Sequence, residues 1–422
     1  MSQESTELFV LSAASDDALV AELSRFAAFL DRVSGVSLLD VAYTASLTKG
    51  PSKIGIVASD VKDLLARILS AKSRIAAGAV KVKDKSGTYF TKERLLGVNG
   101  GKLAFLFPGV MSFYPDMLRD VAVAFPECRE AFDELEESLG GNPDFMPSNF
   151  IFPPAPYYRH DADIFSSGAY AQALVSVYAA SSALSRLLAA MSLAPDGVVG
   201  FAGGDLSAMI KSGAAGASPS RIDRVRMIRD IYGIVDKAVD HLGLAKTSMI
   251  SVLLRKEGEA DAVIGSLPPD KVSLCIEFSP RRMVFAVDPQ CEEATLKAFA
   301  DAGIRTMKLA IDRPFNTPRS AAMVPAIRKF ATAWMKSDAL LDVYSCALAG
   351  RVAPKVRACR EDVAERWARP ALFAGTEVAA ATACPMGTPA RMRFTMPSQA
   401  KVTDPARVPS ARVARGPFTV TA

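Results

Sequence analysis

Residues Leu193 to Ala208 read LAPDGVVGFAGGDLSA, and the rest of the chain is ordered around them. An apolar stretch from Ala169 to Met191 has the spacing of a buried helix and leads into this run. Pro195-Asp196 makes a turn, Val198-Val199 a short buried strand, and Gly200 to Gly204 a sharp corner before a new helix. Strand, Gly-x-x-x-Gly corner and helix are the layout of a nucleophile elbow. The corner pushes one side chain to the sheet edge, and its flanks are glycine because no Cβ fits there. The start of the following helix offers free N–H groups to an oxyanion. The apex is Ala202, where such chemistry calls for Ser or Cys. A plain helix-start turn fits the same letters. A nucleotide-binding loop does not, since neither G-x-G-x-x-G nor G-x-x-x-x-G-K-[ST] is present.

Composition narrows the function classes. At 422 residues the chain has room for two to three domains. The net charge of +5 is carried by the segment from Arg391 onward, with six Lys/Arg and one Asp, so residues 1–390 balance at zero. A neutral body argues against nucleic acid as a partner. The six cysteines (Cys128, Cys275, Cys291, Cys346, Cys359, Cys384) form no C-x-x-C pair, and only His160 and His241 accompany them. That pattern points to reduced thiols in a cytoplasmic protein without a zinc site. His160-Asp161-x-Asp163 reads as a solvated loop rather than a metal cluster. The N-terminus SQEST has no apolar signal core, and Tyr170 to Ala194 is broken by Gln172, serines and Arg186, so it reads as a core helix and no membrane partner is expected.

Periodicity supplies the remaining elements. Strands are predicted at Glu7 to Ser12, Ile54 to Ala58 and Lys102 to Phe107, with helices at Asp16 to Val33, from Ser37, and at Asp60 to Ser70. Gly87-Thr88-Tyr89-Phe90 leads toward the Lys102 strand, and further helices are predicted from Met117 and over Arg221 to His241 and Ala321 to Met335. Between the last two, Met249–Leu254, Glu259–Leu267, Val272–Phe278, Met283–Val287, Glu292–Ala302 and Thr306–Ile311 read β-α-β-β-α-β, a ferredoxin-like insert. Val343-Tyr344-Ser345 is a late core strand.

These motifs resemble the malonyl-CoA/acyl-CoA:acyl-carrier-protein acyltransferases of fatty acid, polyketide and polyunsaturated fatty acid synthases. Against that family's Gly-His-Ser-x-Gly-Glu, Gly200 and Gly204 match, Phe201 stands for the His, Ala202 for the Ser and Asp205 for the Glu. FPGVMSFYPDM (Phe107 to Met117) resembles the oxyanion loop FPGQGSQYPGM, with Val110, Met111 and Phe113 departing from it; Val110 and Gly203 stand at the two oxyanion-donor positions. The changes at Met111 and Phe113 narrow and dry the pocket mouth. FPECREAFDELEESL and the IFPP element also read as family wording. MIRD (Met227 to Asp230) resembles FIRDGN, which implies that Arg229 clamps a substrate carboxylate; an i,i+4 surface arginine fits the same letters. RPFNTP (Arg313 to Pro318) resembles AFHSP, placing Phe315 in the substrate site and Asn316, 114 residues after Ala202, where the family's His base stands. Arg360 to Phe373 resembles the closing helix and its W-x-x-P-V-x-F turn. LFVLSAASDDAL, SLLDVAYTASLTKG and KIGIVASDVKDLLARI resemble the linker domain between ketosynthase and acyltransferase.

The resemblance implies an α/β fold: an α/β-hydrolase-like acyltransferase core with a parallel sheet, an inserted ferredoxin-like subdomain and an N-terminal α+β linker domain. The implied boundaries are 1–98 for the linker-like domain, 99–247 with 313–375 for the core, 248–312 for the insert and 376–422 for a basic tail. The implied partners are an acyl carrier protein and a ketosynthase, and the implied ligand an acyl-CoA or acyl-phosphopantetheine with no covalent cofactor. The family works by ping-pong chemistry on Ser with a His shuttle. Ala202 has no nucleophilic atom and the Asn316 amide takes up no proton near neutrality. In a Ser hydrolase taken as template, losing either partner costs roughly six orders of magnitude in kcat. The sequence therefore predicts a non-catalytic docking protein or an acyl-thioester-binding module, with direct thiol attack on an oxyanion-bound thioester as the alternative.

Overall fold

The computed structural model describes residues 6–85, 87–93, 96, 101–141, 145–153 and 167–383. The chain divides into two units, Met1–Gly101 and Lys102–Ala422. The first runs β1 (Glu7–Ala13), α1 (Asp16–Arg32), α2 (Leu38–Ser46), β2 (Ser52–Ala58), α3 (Val61–Ala76), β3 (Lys81–Lys83) and β4 (Thr88–Thr91). Its antiparallel sheet has the order β1-β2-β4-β3. Alternation puts Phe9, Leu11, Ile54, Ile56 and Phe90 on one face, where Leu19 and Leu23 of α1 and Leu64 and Ile68 of α3 complete a core. Ser15 and Asp60 start the two long helices by accepting from the Ala18 and Asp63 amides. Such caps contribute about 1 kcal/mol each.

The second unit runs β5 (Ala104–Phe107), α4 (Arg119–Ala124), α5 (Pro126–Leu139), α6 (Pro147–Ile151), α7 (Ser167–Ala190), β6 (Gly197–Gly200), α8 (Gly204–Lys211) and α9 (Arg221–His241). It continues with β7 (Ser248–Leu253), α10 (Glu259–Ile264), β8 (Val272–Ser279), β9 (Arg282–Val287), α11 (Glu292–Asp301) and β10 (Arg305–Leu309). The chain then forms α12 (Val324–Trp334), β11 (Asp342–Ser345), β12 (Gly350–Val352), α13 (Val356–Glu365), β13 (Ala371–Leu372) and α14 (Phe373–Ala383).

Two sheets organise this unit. In the first, β5, β6 and β11 are parallel and β12 closes the edge antiparallel, in the order β12-β11-β6-β5. Its centre, β6, is buried at every residue, as a strand covered on both faces must be. The second sheet has the order β10-β7-β9-β8-β13, whose first four members form the antiparallel ferredoxin-like arrangement. The predicted β-α-β-β-α-β run is therefore present, with ends that coincide or shift by at most three residues. One helix among the described residues, over Tyr170–Ala190, is long and apolar enough to cross a bilayer, yet half of it is buried. It packs against α5, α8 and α9.

Three features depart from the sequence expectations. β13 leaves the closing turn to pair in parallel with β8, so the insert's sheet gains a strand from far downstream. The chain past 375 continues as helix to Ala383, packed on β8, β11 and β12, so the expected boundary falls inside α14. The helix expected from Met117 starts at Arg119, and a 3-10 turn over Val110–Ser112 precedes it. His160, Asp161, Asp163, Cys384 and the basic tail lie outside the described residues.

Candidate functional site

The glycine corner has the elbow geometry. β5 and β6 end side by side, and the ladder carries on past them through a hydrogen bond from the Phe201 amide to the Phe107 carbonyl (3.0 Å). A Cβ on Gly204 would lie 2.1 Å from the Phe107 oxygen, and one on Gly200 2.3 Å from the Asp205 Cα. Neither position admits another residue. Ala202 stands at the apex with φ 48°, a left-handed conformation that costs a non-glycine residue about 1–2 kcal/mol. Gly204 donates to the Phe201 carbonyl (2.8 Å) and Asp205 to the Ala202 carbonyl (3.1 Å), which turns the chain into α8.

The oxyanion-loop positions come up against this corner. A Cβ built on Gly109 would stand 3.4 Å from the Ala202 Cβ, and one on Gly203 would stand 3.7 Å from the Val110 amide nitrogen and 2.7 Å from Leu174 Cδ1. Val110 and Gly203 are thus neighbours beside Ala202. In this loop Phe113 is buried and stacks on Phe150 at 4.7 Å.

The Pro314–Pro318 corner is held by Thr317 Oγ1 donating to the Pro314 carbonyl (2.6 Å). Asn316 adopts φ 59°, and its Nδ2 donates to the Arg366 carbonyl (3.0 Å). One of the two N–H bonds of its amide is thus given to backbone. Phe315 is buried, stacked on Tyr170 (4.2 Å) and edge-on to Trp367 (5.7 Å). Phe201 is likewise buried, between Phe278 of β8 (5.2 Å) and Phe373 of α14 (5.4 Å). Ala202, between Phe201 and Gly203, is itself 8% exposed.

Arg229 is not brought to this corner. It is exposed, and its Nε donates to the Ser138 carbonyl at the end of α5 (3.0 Å). What α9 presents toward Gly203 is Met227, Ile228 and Ile231, which line a small apolar cavity of about 10 Å³ together with Leu174, Tyr178 and Leu206. Arg224 is the arginine of α9 that turns inward, and Glu134 of α5 holds it by both its Nη2 (2.6 Å) and its Nε (3.0 Å). Arg186 of α7 joins the same carboxylate at 2.6 Å. Burial pushes the Glu134 carboxyl up, but the hydrogen bonds from the two guanidiniums outweigh it and hold it below the usual range.

A second buried charge cluster lies directly behind the elbow. Asp205 of α8 is 4% exposed, with Oδ2 4.0 Å from the buried Arg366 Nη1. Burial, opposed by Arg366 and reinforced by Asp362 nearby, pushes the Asp205 carboxyl up to about 8. Burial also raises the Asp362 carboxyl and lowers the Arg366 guanidinium. Asp205 Oδ1, Arg366 Nη1 and both Asp362 carboxyl oxygens are buried without a hydrogen-bond partner.

Two thiols that sequence reading did not place here touch the corners. Cys346 Sγ donates to the Gly200 carbonyl (2.9 Å) and Cys275 Sγ to the Phe315 carbonyl (3.1 Å). Both are fully buried, and burial drives both thiols far above their usual range. Such thiols are inert, so neither replaces the missing serine. His241 ends α9, exposed, ten residues past the Ile231 of the cavity, which is about 15 Å along the axis. Among the described residues no group of acidic, Cys and His side chains is placed to hold a metal.

Comparison with known proteins places this geometry. Residues 7–68 match a family model described as CurL-like, PKS C-terminal. The chain is 26% identical over 307 residues to polyketide synthase GfsA of Streptomyces halstedii, covering 72% of this chain and 4% of that protein. It is 24% identical over 356 residues to hispidin synthase of Neonothopanus nambi, covering 82% of this chain and 19% of that one. The chain thus spans less than a fifth of the length of these relatives. Among solved structures it is similar to the acyl transferase domain of ZmaA (TM-score 0.64, 15% identity, 87% of this chain and 79% of that one). It is also similar to the acyltransferase domain of an iterative polyketide synthase of enediyne biosynthesis (TM-score 0.59, 20% identity, 88% and 82%). A malonyl-transacylase solved with the acyl-carrier protein of a type II polyketide synthase matches over 66% of this chain and 84% of that one (TM-score 0.55, 19% identity). The fold is that of the polyketide synthase acyltransferase domains, as the sequence motifs implied.

Proposed function

We propose that this chain is a non-catalytic acyltransferase-fold component of a polyketide synthase system, which engages an acyl-thioester or its carrier protein without forming an acyl-enzyme. The observation that carries this reading is the occupancy of the elbow. Its apex holds the strained φ of 48° around a methyl group, and the Asn316 amide is tied to the Arg366 carbonyl. An elbow concentrates strain to expose a nucleophile, and here it exposes none. The inert thiols at Gly200 and Phe315 remove the nearest chemical substitutes.

Direct thiol attack without an acyl-enzyme would need a base for the incoming thiol, and neither the Ala202 methyl nor the Asn316 amide is one. The carrier protein and ketosynthase are partners by analogy with the long synthases that the chain resembles.

The test is intact mass spectrometry after incubation with malonyl-CoA and acetyl-CoA. An unmodified chain is expected, and an acyl adduct overturns the reading. The double substitution Ala202→Ser with Asn316→His asks whether the rest of the site is serviceable. An adduct on the double variant alone locates the loss at those two residues. No adduct on either chain assigns the loss also to the aromatic filling around Phe201 and Phe315.

A further inference from the structure

We propose that the open face of the first unit's sheet is a docking surface for a short acidic, amphipathic helix of another protein. The inference goes beyond the reading above and is independent of the elbow in the second unit. Alternation along the strands sends Phe9, Ile54, Val82 and Phe90 into the core with α1 and α3, and their neighbours to the opposite face. On that face the register aligns Val10, Gly55, Tyr89 and Lys83 in one row across all four strands. Lys53 and Lys81 stand in the row on one side of it, and the pair Leu8 and Val57 on the other. The face is therefore apolar toward one corner and basic toward the opposite one. Leu8 is 57% and Tyr89 50% exposed, and all three lysines are exposed.

Gly55 shapes the surface between the two corners. A Cβ there would meet only Leu8 Cδ1, at 4.0 Å, so the backbone floors a shallow notch beside Tyr89 that accepts one projecting side chain. No acidic residue holds an outward position on these strands, and no ion pair among the described residues engages Lys53, Lys81 or Lys83. The nearby acids are used on the helix side, Asp84 with Arg74 of α3 (4.0 Å) and Asp16 of α1 with Lys92 (3.5 Å). Charge then selects the occupant. A second copy of this face would set three lysines against three, and the segment from Arg391 onward carries six Lys/Arg against one Asp, so both are repelled. A nucleic acid would leave Leu8, Val10 and Val57 uncovered, and a flat bilayer would leave the notch unfilled. A helix with acidic residues beside an apolar stripe meets both halves. The dimensions agree: three strand spacings and four residues give about 14 Å each way, room for the width of one helix and roughly nine residues of its length. A face of this size is far below the area of a stable interface, so the contact is weak and steered by charge.

The experiment is a fluorescence-anisotropy titration of labelled helical peptides with the full chain. The peptides are about 15 residues long, the length at which an isolated helix begins to hold in water. Two share a leucine stripe and carry Glu or Lys at their polar positions, and a third carries Glu with Ala in the stripe. The Glu/Leu peptide should bind about tenfold or more tightly than the Lys/Leu peptide, which meets like charge, and than the Glu/Ala peptide, which buries less apolar area. Its binding should vanish near 1 M salt, where the screening length falls to about 3 Å. The triple variant Lys53→Glu, Lys81→Glu and Lys83→Glu should exchange the preference, losing the Glu/Leu peptide and gaining the Lys/Leu one. Circular dichroism checks that this variant is folded, and the wild-type ranking decides alone should it not be. Equal binding of the Glu/Leu and Lys/Leu peptides overturns the proposal, as does binding of neither or an unchanged ranking in the folded triple variant. Phosphatidylserine vesicles and an oligo-dT strand are titrated beside the peptides. Tighter binding of either than of the Glu/Leu peptide, lost in the triple variant, assigns the face to a membrane or a nucleic acid and overturns the proposal too. None of these outcomes touches the non-catalytic reading of the elbow, which falls only with a covalent adduct.

Discussion

Two buried charge clusters in the second unit use the same ingredients in opposite ratio. At Glu134 one carboxylate receives two guanidiniums, each within 2.6 Å, and is held in its ionised form. Behind the elbow two carboxyl groups share one guanidinium, whose approach to Asp205 is 4.0 Å, and four of their polar atoms make no hydrogen bond. The first cluster ties α5, α7 and α9 together and behaves as structure. The second keeps charge in a place where packing alone would have done better, since a well-packed apolar set is often as stable as a buried ion pair.

Three substitutions sharpen or break this contrast. The largest effect is expected from Glu134→Gln, which strands two guanidiniums. Chemical denaturation should show a loss of about 3 kcal/mol, the lower end for breaking a buried pair because Arg186 and Arg224 remain partly open to water. A loss under about 1 kcal/mol would make this cluster no more structural than the other.

The middle effect concerns pH. The Asp205 carboxyl is raised to about 8 in the folded chain, from an unfolded value near that of a free carboxylate. The protonated form is thus favoured by folding. Its contribution is complete below the unfolded value and is lost as pH rises through about 8. Wild-type stability should therefore fall across pH 6 to 8, by at most about 1.4 kcal/mol per pH unit from this group. Asp205→Asn should flatten that slope in denaturation midpoints. An unchanged slope would mean that Arg366 holds Asp205 ionised, and the two clusters would then be alike.

The smallest effect is expected from Asn316→Gly, which keeps the left-handed backbone but removes the bond to the Arg366 carbonyl. A loss of about 1 kcal/mol, typical of one hydrogen bond, should appear in the same assay. No loss would uncouple the base-side corner from the second cluster.

The legible parts of this protein were local. The Gly-x-x-x-Gly corner, the β-α-β-β-α-β alternation and the capped helices of the first unit are written in neighbouring residues, where period and turn chemistry decide. What escaped was set by distance or by rotation. Asp205 and Arg366 are far apart in the chain, and nothing in GGDLSA says that a cation from the closing helix will arrive. Cys346 and Cys275 reached the two corners through strand register, which spacing does not reveal. Arg229 was misdirected because each helical residue turns the side chain by about 100°, so a small error in the loop before α9 selects a different face. Met227 and Ile231, three and seven residues beyond Arg224, share its side of the helix, and Arg229 does not.

The pairing of β13 with β8 has an architectural consequence. The insert between β7 and β10 looks self-contained along the chain, yet its outer strand is finished only by residues 371 and 372. Cut out as a cassette, it would present β8 as a bare hydrogen-bonding margin, an invitation to pair with other chains. The small subdomain is therefore not a portable module. Any graft or truncation that respects the chemistry of this sheet must carry the C-terminal closing segment with it.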